Sequence, residues 1–106
     1  MFELVYDTEY AELANDFYEY YDIYKDGKPY YRNKDINSVL SFEVDRKAKT
    51  IRFVNVTDEI YIEISPDRRE LYKTILFLCD ELDIKDYEVI GDDLLSKELY
   101  YALKQI

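Results

Sequence analysis

The pattern of apolar and polar residues is clearest in the middle of the chain, between residues 38 and 64. Apolar side chains recur at strand spacing in 39–44 and 51–56, on either side of the polar stretch 45–49. Two such runs joined by a polar turn predict a β-hairpin. The run 59–64 then alternates strictly, so that as a strand it would place its three isoleucines on one buried face. We therefore expect a meander of three antiparallel strands.

Helical periodicity replaces this alternation after residue 64. Ser65 and Pro66 supply an N-cap and a first-turn proline, and leucine or isoleucine then recurs every three to four residues. This spacing predicts a helix that ends at about Asp83. A further short strand is expected near the start of the chain, where Phe2, Leu4 and Tyr6 occupy alternate positions.

The last part of the chain predicts one more strand and one more helix. Apolar residues in 87–90 indicate a short strand that ends at Gly91, and Asp92 or Asp93 is expected to cap the helix that follows. The apolar side of that helix carries Leu95, Leu99, Ala102 and Ile106. Strands that come first and helices that come later favour an α+β fold.

The whole chain, residues 1–106, is expected to form a single domain. Its 106 residues contain two glycines and two prolines, with no repeat or linker to divide them. The predicted architecture is a small α+β domain with a three- to four-stranded, mainly antiparallel sheet and two or three helices packed on one face.

Residues 7–24 are open to two interpretations. A helix from residue 8 to about 21 would separate an aromatic and aliphatic face from an acidic one. Alternatively, the Asp26-Gly27 pair is typical of a type I′ turn, so residues 18–25 could instead pair with 28–33 as a hairpin. Tyrosine, which is frequent in this segment, favours strands. Both possibilities keep the local negative charge.

In the helical interpretation, five carboxylates form a row along one side: Glu9, Glu12, Asp16, Glu19 and Asp22. Charged residues ordinarily occupy the solvent side of an amphipathic helix, which is the simplest explanation. However, residues 7–24 contain no lysine or arginine, although a helix gains stability from pairs of opposite charge. The separation of the acids, roughly 4.5 to 6 Å along the axis, is similar in scale to the phosphate spacing of a nucleic-acid strand.

Charge and composition exclude several functions. The chain has 24 acidic and 14 basic residues, a net charge of −10, which repels nucleic acids and anionic membranes. It contains no histidine and a single cysteine, Cys79, on the apolar side of its predicted helix, so no cofactor or metal site is predicted. No secretory or membrane-spanning segment is recognisable, which favours the cytoplasm, or the host cytoplasm if a phage encodes the chain.

Carboxylate chemistry offers one enzymatic alternative. Asp67, Asp83 and Lys85 follow the order of the acidic pair and lysine in metal-dependent nucleases, whose carboxylates hold magnesium. An enzyme of this kind must approach DNA against the net charge of the chain. We therefore expect a protein that is not an enzyme.

Tyrosine is unusually abundant, with 13 residues. Its large contact area and hydrated hydroxyl make it frequent in protein interfaces. The tyrosines expected to be most available for outside contacts are Tyr18, Tyr30, Tyr31, Tyr61 and Tyr101.

These features together predict a protein that binds a basic partner, most simply a nucleic-acid-binding enzyme, and blocks its cleft. In general character such a chain resembles the small acidic DNA mimics that phages and mobile elements use against restriction, CRISPR or repair enzymes. The alternatives are an accessory or immunity-type interaction module without mimicry, or a homo-oligomer, for example a homodimer, held by tyrosines. The residues expected to bind the partner are Glu9, Glu12, Asp16, Tyr18, Glu19, Asp22, Asp80, Glu81 and Asp83.

Overall fold

The computed structural model describes residues 1–7, 17–33 and 38–105. Its strands are β1 (Phe2–Tyr6), β2 (Tyr18–Lys25), β3 (Lys28–Pro29), β4 (Tyr31–Asn33), β5 (Ser38–Val39), β6 (Ser41–Asp45), β7 (Thr50–Val54) and β8 (Glu88–Val89). Its helices are α1 (Asp58–Ile64), α2 (Arg68–Glu81), which follows a 3₁₀ turn at Ser65–Asp67, and α3 (Leu94–Lys104). These elements form a compact small α+β domain.

The segment around Asp26 and Gly27 adopts the hairpin alternative. Both residues have positive φ angles, 53° and 81°, as a type I′ turn requires, and β2 pairs with β3 across them. β2 also pairs with β1 on one side and with β6 on the other. The helix expected to reach about residue 21 is therefore wrong for 18–21, because tyrosines in this segment are paired in the sheet. Residues 8–16 of that helix lie outside the described residues.

The predicted central hairpin is confirmed as β6 and β7, with Phe42 opposite Phe53 and Val44 opposite Ile51. The main sheet has six strands in the order β1-β2-β6-β7-β8, with β3 added beside β2, so it is larger than predicted. The strand expected near 87–90 is present as β8, and it runs parallel to β7. β4 and β5 form a separate two-stranded sheet.

The run with alternating isoleucines is a helix, so the predicted third strand of the meander is wrong. Thr57 is the N-cap of α1, and its side-chain oxygen accepts a hydrogen bond from the Ile60 N–H at 3.3 Å. Residues four apart share one side of a helix, so Ile60 and Ile64 are buried whereas Ile62 is 72% exposed. Six residues of alternation fit either period, and the N-cap and the packing favour the helix.

The two later helices are confirmed. α3 begins where Asp93 accepts a hydrogen bond from the Ser96 N–H at 2.8 Å. Gly91 precedes it with a φ of 128°, and a Cβ there would lie 2.9 Å from Asp93 Oδ1, so only glycine fits. Within the described residues, no helix is long and apolar enough to cross a membrane.

One hydrophobic core joins the sheet to the helices. Its sheet side is formed by alternate residues of the central strands, since successive side chains of a strand point to opposite faces. The fully buried members with the largest side chains include Ile23, Phe42, Ile51, Ile60, Ile64, Leu71, Ile75, Leu95 and Leu99. The opposite face of the sheet carries Tyr18, Asp22, Glu43 and Arg52, so the polar side chains of β2, β6 and β7 lie together there.

Candidate acidic binding surface

Glu19 lies on β2 and is neutralised by an arginine of the central hairpin. Arg46 donates from Nε to Glu19 Oε2 at 2.6 Å and from Nη2 to Oε1 at 3.3 Å. The same guanidinium donates to the Leu82 carbonyl at 3.2 Å and lies over the ring of Tyr87. The Glu19 carboxylate raises the pKa of Arg46, so the pair stays ionised. Glu19 therefore offers little unbalanced charge to a partner.

Tyr18 and Asp22 lie on the opposite face of β2 from Glu19. Asp22 is partly buried and accepts a hydrogen bond from Ser41 Oγ at 3.0 Å, and its burial raises its pKa. The neighbouring Asp45 carboxylate raises the pKa of Tyr18. The predicted row is therefore wrong at its Glu19 and Asp22 end. Its other acids lie outside the residues that the structure describes: Glu9, Glu12 and Asp16.

A second carboxylate that is paired with an arginine lies in the middle of the sheet. Glu43 on β6 is buried, and Arg52 on β7 lies directly opposite it. Arg52 Nε donates to Glu43 Oε1 at 3.0 Å, and its Nη2 donates to Oε2 at 3.3 Å. Two-point contact of this kind is the strongest arrangement of an arginine and a carboxylate. The basic middle of the sequence thus balances acids of the sheet.

Three predicted binding residues lie together at the C-terminal end of α2: Asp80, Glu81 and Asp83. The helix ends in a Schellman motif, in which the Ile84 N–H donates to the Cys79 carbonyl at 2.9 Å and the Asp83 N–H donates to the Asp80 carbonyl at 3.2 Å. The motif requires a left-handed residue, and Asp83 fills this position with a φ of 58°. The structure therefore brings these three acids to one end of the helix.

The acidic surface continues through Asp86 and Glu88, which were not predicted as binding residues. Asp86 lies in the turn before β8, Glu88 lies in β8, and both are exposed. Lys85 Nζ pairs with Asp80 Oδ1 at 2.8 Å. The sequence feature that could have identified Asp86 and Glu88 is the run 80–93, which contains seven acids and one base. We name these five residues the acidic corner: Asp80, Glu81, Asp83, Asp86 and Glu88.

The charges of the acidic corner oppose the stability of α2. The C-terminal end of a helix carries partial negative charge, yet the last turn contains Asp80 and Glu81 and no base. Asp83 adds a carboxylate in a conformation that costs a residue other than glycine roughly 1 kcal/mol. Helix stability therefore does not explain why these three positions are acidic.

A shallow cleft of about 350 Å³ borders the acidic corner. Asp86 and Glu88 form part of its wall, and Tyr100 and Lys104 of α3 line the other part. Lys85 also lines the cleft, and the Lys104 ammonium lies 4.4 Å from the centroid of the Tyr100 ring, so this ring already has a cation of the same chain against it. The groups of the cleft that remain for a basic side chain of a partner are the carboxylates of Asp86 and Glu88.

Two tyrosines join the helices of the domain. The hydroxyls of Tyr61 and Tyr72 donate to Glu98 Oε1 at 2.7 Å and to Oε2 at 2.8 Å, and Arg68 Nε lies 3.3 Å from the same carboxylate. This network links α1, α2 and α3 through one side chain. Of the tyrosines expected to be available for outside contacts, Tyr61 is therefore engaged within the fold, whereas Tyr101 is 65% exposed.

The residues considered for catalysis do not form a reactive site. Cys79 is fully buried, as predicted, and burial raises its pKa to about 12. Asp67 and Asp83 lie at opposite ends of α2, about 20 Å apart, and Lys25 pairs with Asp67 at 2.7 Å. Within the described ranges, no group of three or more histidine, cysteine or acidic residues could hold a metal ion.

Comparison with protein-family models, with curated proteins and with solved structures found no match. Function is therefore inferred from the geometry and the charges of the side chains alone.

Proposed function

We propose that this protein is a non-enzymatic inhibitor that occupies a basic nucleic-acid-binding cleft of a target protein through its acidic corner. The observation that carries the proposal is a group of four exposed carboxylates with no ion pair to another described residue: Glu81, Asp83, Asp86 and Glu88. Clefts that bind DNA or RNA are lined with lysine and arginine, which pair with carboxylates as they do with phosphates.

Two physical effects would act in sequence when the complex forms. The net charge of −10 and its concentration at the acidic corner would speed the encounter with a basic surface. Asp86 and Glu88 at the mouth of the cleft would then pair with basic side chains of the target. Because Arg46 neutralises Glu19, that residue is left out of the proposed contact. Glu9, Glu12 and Asp16 remain part of the proposal as additional negative charge.

The test is capture of basic proteins from a bacterial lysate on immobilised protein, followed by elution with duplex DNA or with salt. We expect DNA to displace the captured protein, because the two would compete for one cleft. Neutralising Asp83, Asp86 and Glu88 together with Asp83→Asn, Asp86→Asn and Glu88→Gln should weaken capture about tenfold. Exposed ion pairs contribute about 0.2–1 kcal/mol each, and a tenfold change is about 1.4 kcal/mol.

A matched control removes the same number of charges from exposed positions outside the acidic corner: Glu3→Gln, Glu59→Gln and Glu63→Gln. This control should capture the target almost as well as the unmodified protein. Equal loss in both triple variants would mean that net charge alone drives binding. Unchanged capture by the variant with Asp83→Asn, Asp86→Asn and Glu88→Gln would contradict the proposal.

The competition step separates the leading function from its alternative. An accessory or immunity-type module would bind a partner through the same acids without sharing a nucleic-acid site. In that case salt would release the partner because the contact is ionic, whereas DNA would not. Capture that responds to the acidic corner but not to DNA would therefore favour the interaction module.

A further inference from the structure

The exposed side of α2 carries an aromatic residue one turn before the helix ends. Phe77 is 64% exposed, and the half-buried Leu76 extends the apolar surface towards α3. A groove of about 410 Å³ continues from Leu76 to Ala102. A single exposed apolar side chain is ordinary on a protein surface. The arrangement of charges around Phe77 distinguishes this one.

Glu70, an acid of the first turn, lies on the same side of α2 as Phe77, where it accepts a hydrogen bond from a backbone N–H of β1 at 3.1 Å. The remaining charges on this side are separated by sign along the helix: Arg69 and Lys73 precede Phe77, and Asp80 and Glu81 follow it. Each group lies at the helix end where the macrodipole disfavours it, since cations are favoured at the C-terminal end and anions at the N-terminal end. The order therefore gives no advantage to the isolated helix.

This order of charges makes one α2 helix complementary to a second α2 helix that runs antiparallel to it. Lys73 lies four residues before Phe77 and Glu81 lies four residues after it. If two α2 helices cross antiparallel about a two-fold axis at Phe77, Lys73 of each copy comes level with Glu81 of the other. The two Phe77 rings then meet at the axis, and the opposed helix dipoles no longer disfavour the charges.

We propose that a second copy of this chain occupies the exposed side of α2, forming a two-fold homodimer centred on Phe77. The contact follows from charge complementarity and from the exposed aromatic side chain. It does not depend on the proposed inhibitory function, but it would engage Glu81, so in the dimer the proposed contact with the target would be made by Asp83, Asp86 and Glu88. Because α2 ends at Glu81, an axis at Phe77 lets residues 73–81 pair, about 13 Å of helix, so the paired surface lies below about 1,200 Å², the low end of stable interfaces. We expect a dissociation constant of order micromolar.

Sedimentation equilibrium of the full chain over a range of concentrations tests the dimer. Lys73→Glu and Glu81→Lys should each weaken association at least about tenfold, because each places like charges opposite one another. Glu81→Lys puts a base at the C-terminal end of α2, which favours the helix. Loss of the dimer in that variant therefore cannot be attributed to unfolding, and thermal unfolding by circular dichroism would verify this.

Mixing the two single variants gives the sharpest result. A Lys73→Glu copy is acidic at both positions and a Glu81→Lys copy is basic at both, so the mixture should form a heterodimer although neither variant dimerises alone. Phe77→Ser should abolish association in every combination. The triple variant Asp83→Asn, Asp86→Asn, Glu88→Gln should dimerise as the unmodified chain does, which separates this test from that of the proposed function.

Three results would overturn the proposal. The first is a monomer at all concentrations up to several hundred micromolar, well above the expected dissociation constant. The second is a mixture of the two charge variants that stays monomeric, and the third is a Phe77→Ser protein that still dimerises.

Discussion

Two acidic regions of this molecule differ in how their charge is balanced. On the sheet, Glu19 and Glu43 are each held by two hydrogen bonds from an arginine of the central hairpin. At the acidic corner, Lys85 pairs with Asp80, and the other four carboxylates have no ion pair to a described residue. The sheet acids therefore contribute to the fold, whereas the corner acids repel one another.

This difference shows why the net charge of a chain does not locate its acidic surface. Glu19 belongs to residues 7–24, a segment with six acids and no base, yet it pairs with Arg46 once the sheet forms. The run 80–93 keeps its charge although it borders the basic hairpin, because Arg46 contacts the Leu82 carbonyl and the Tyr87 ring there and forms its ion pair with Glu19. Four predictions separate the two regions, beginning with the largest effect.

Alkaline pH should destabilise the sheet and the core, because buried tyrosine and cysteine side chains resist ionisation there. Burial raises the pKa of Tyr21 and of Tyr30 from 10.0 to about 12, and the pKa of Cys79 from 9.0 to about 12. A group whose pKa is higher in the folded state favours folding below its unfolded pKa and loses that contribution as pH rises through its folded pKa. The free energy of unfolding should therefore fall between about pH 9 and 12.

Urea unfolding followed by circular dichroism at several pH values measures this decline. Tyr21→Phe, which cannot ionise, should make the decline shallower. The triple variant of the acidic corner should keep the unmodified pH dependence. A Tyr21→Phe protein with an unchanged decline would show that Tyr21 is not buried against the core as described.

Removing Arg46 should destabilise the fold by about 2 kcal/mol, because hydrogen bonds to charged groups contribute about 1.5–3 kcal/mol. Arg46→Ala leaves Glu19 without its cation and the Leu82 carbonyl without its donor. The matched control is Lys97→Ala, an exposed base on α3, which should change stability by less than about 0.5 kcal/mol. If the two substitutions lowered the free energy of unfolding equally, the ion pair between Arg46 and Glu19 would not stabilise the fold as described.

Replacing Asp83 should stabilise the fold, whereas replacing Arg46 should destabilise it. Asp83→Gly removes the cost of a left-handed aspartate at the end of α2, offset in part by the flexibility of glycine in the unfolded chain. We expect a gain of about 0.5 kcal/mol, measured as a higher melting temperature. Asp83→Asn, which keeps the conformation and removes the charge, separates the electrostatic part. A lower melting temperature for both variants would show that Asp83 stabilises the fold.

Raising the salt concentration should change the stability of the protein least among the four predictions. Screening weakens repulsion among the corner acids more than it weakens the partly buried arginine pairs. Raising sodium chloride to about 0.5 M, where screening acts over less than about 8 Å, should stabilise the protein by a few tenths of a kcal/mol. The neutralised corner variant should lose this response. A salt dependence that is identical in the two proteins would place the repulsion elsewhere.

Local patterns predicted the parts of the fold whose signals lie within one segment. The hairpin β6–β7 and the helices α2 and α3 follow from spacing and capping that a short window contains. The run that became α1 was ambiguous because six residues satisfy two periods, and only packing distinguishes Ile62 from Ile60 and Ile64. The parallel pairing of β8 is a long-range contact that no local pattern encodes.

The candidate site was predictable to a similar extent. Asp80, Glu81 and Asp83 were found because acids concentrate around the end of a predictable helix. Glu19 was placed in a helical row because nothing in its own segment reveals that Arg46, 27 residues later, lies across the sheet. Neutralisation of a charge depends on the partner that the fold supplies.

The position of β8 affects the order in which the protein is assembled. Thr50 pairs with Glu88, so this contact closes a loop of 38 residues that includes α1 and α2. Closing long loops is slow, because the entropy of the chain must be lost before the contact forms. During synthesis β8 also emerges from the ribosome after the hairpin with which it pairs. Its edge of the sheet is therefore completed late, and the acidic corner, to which Glu88 belongs, is assembled only when the whole domain has folded.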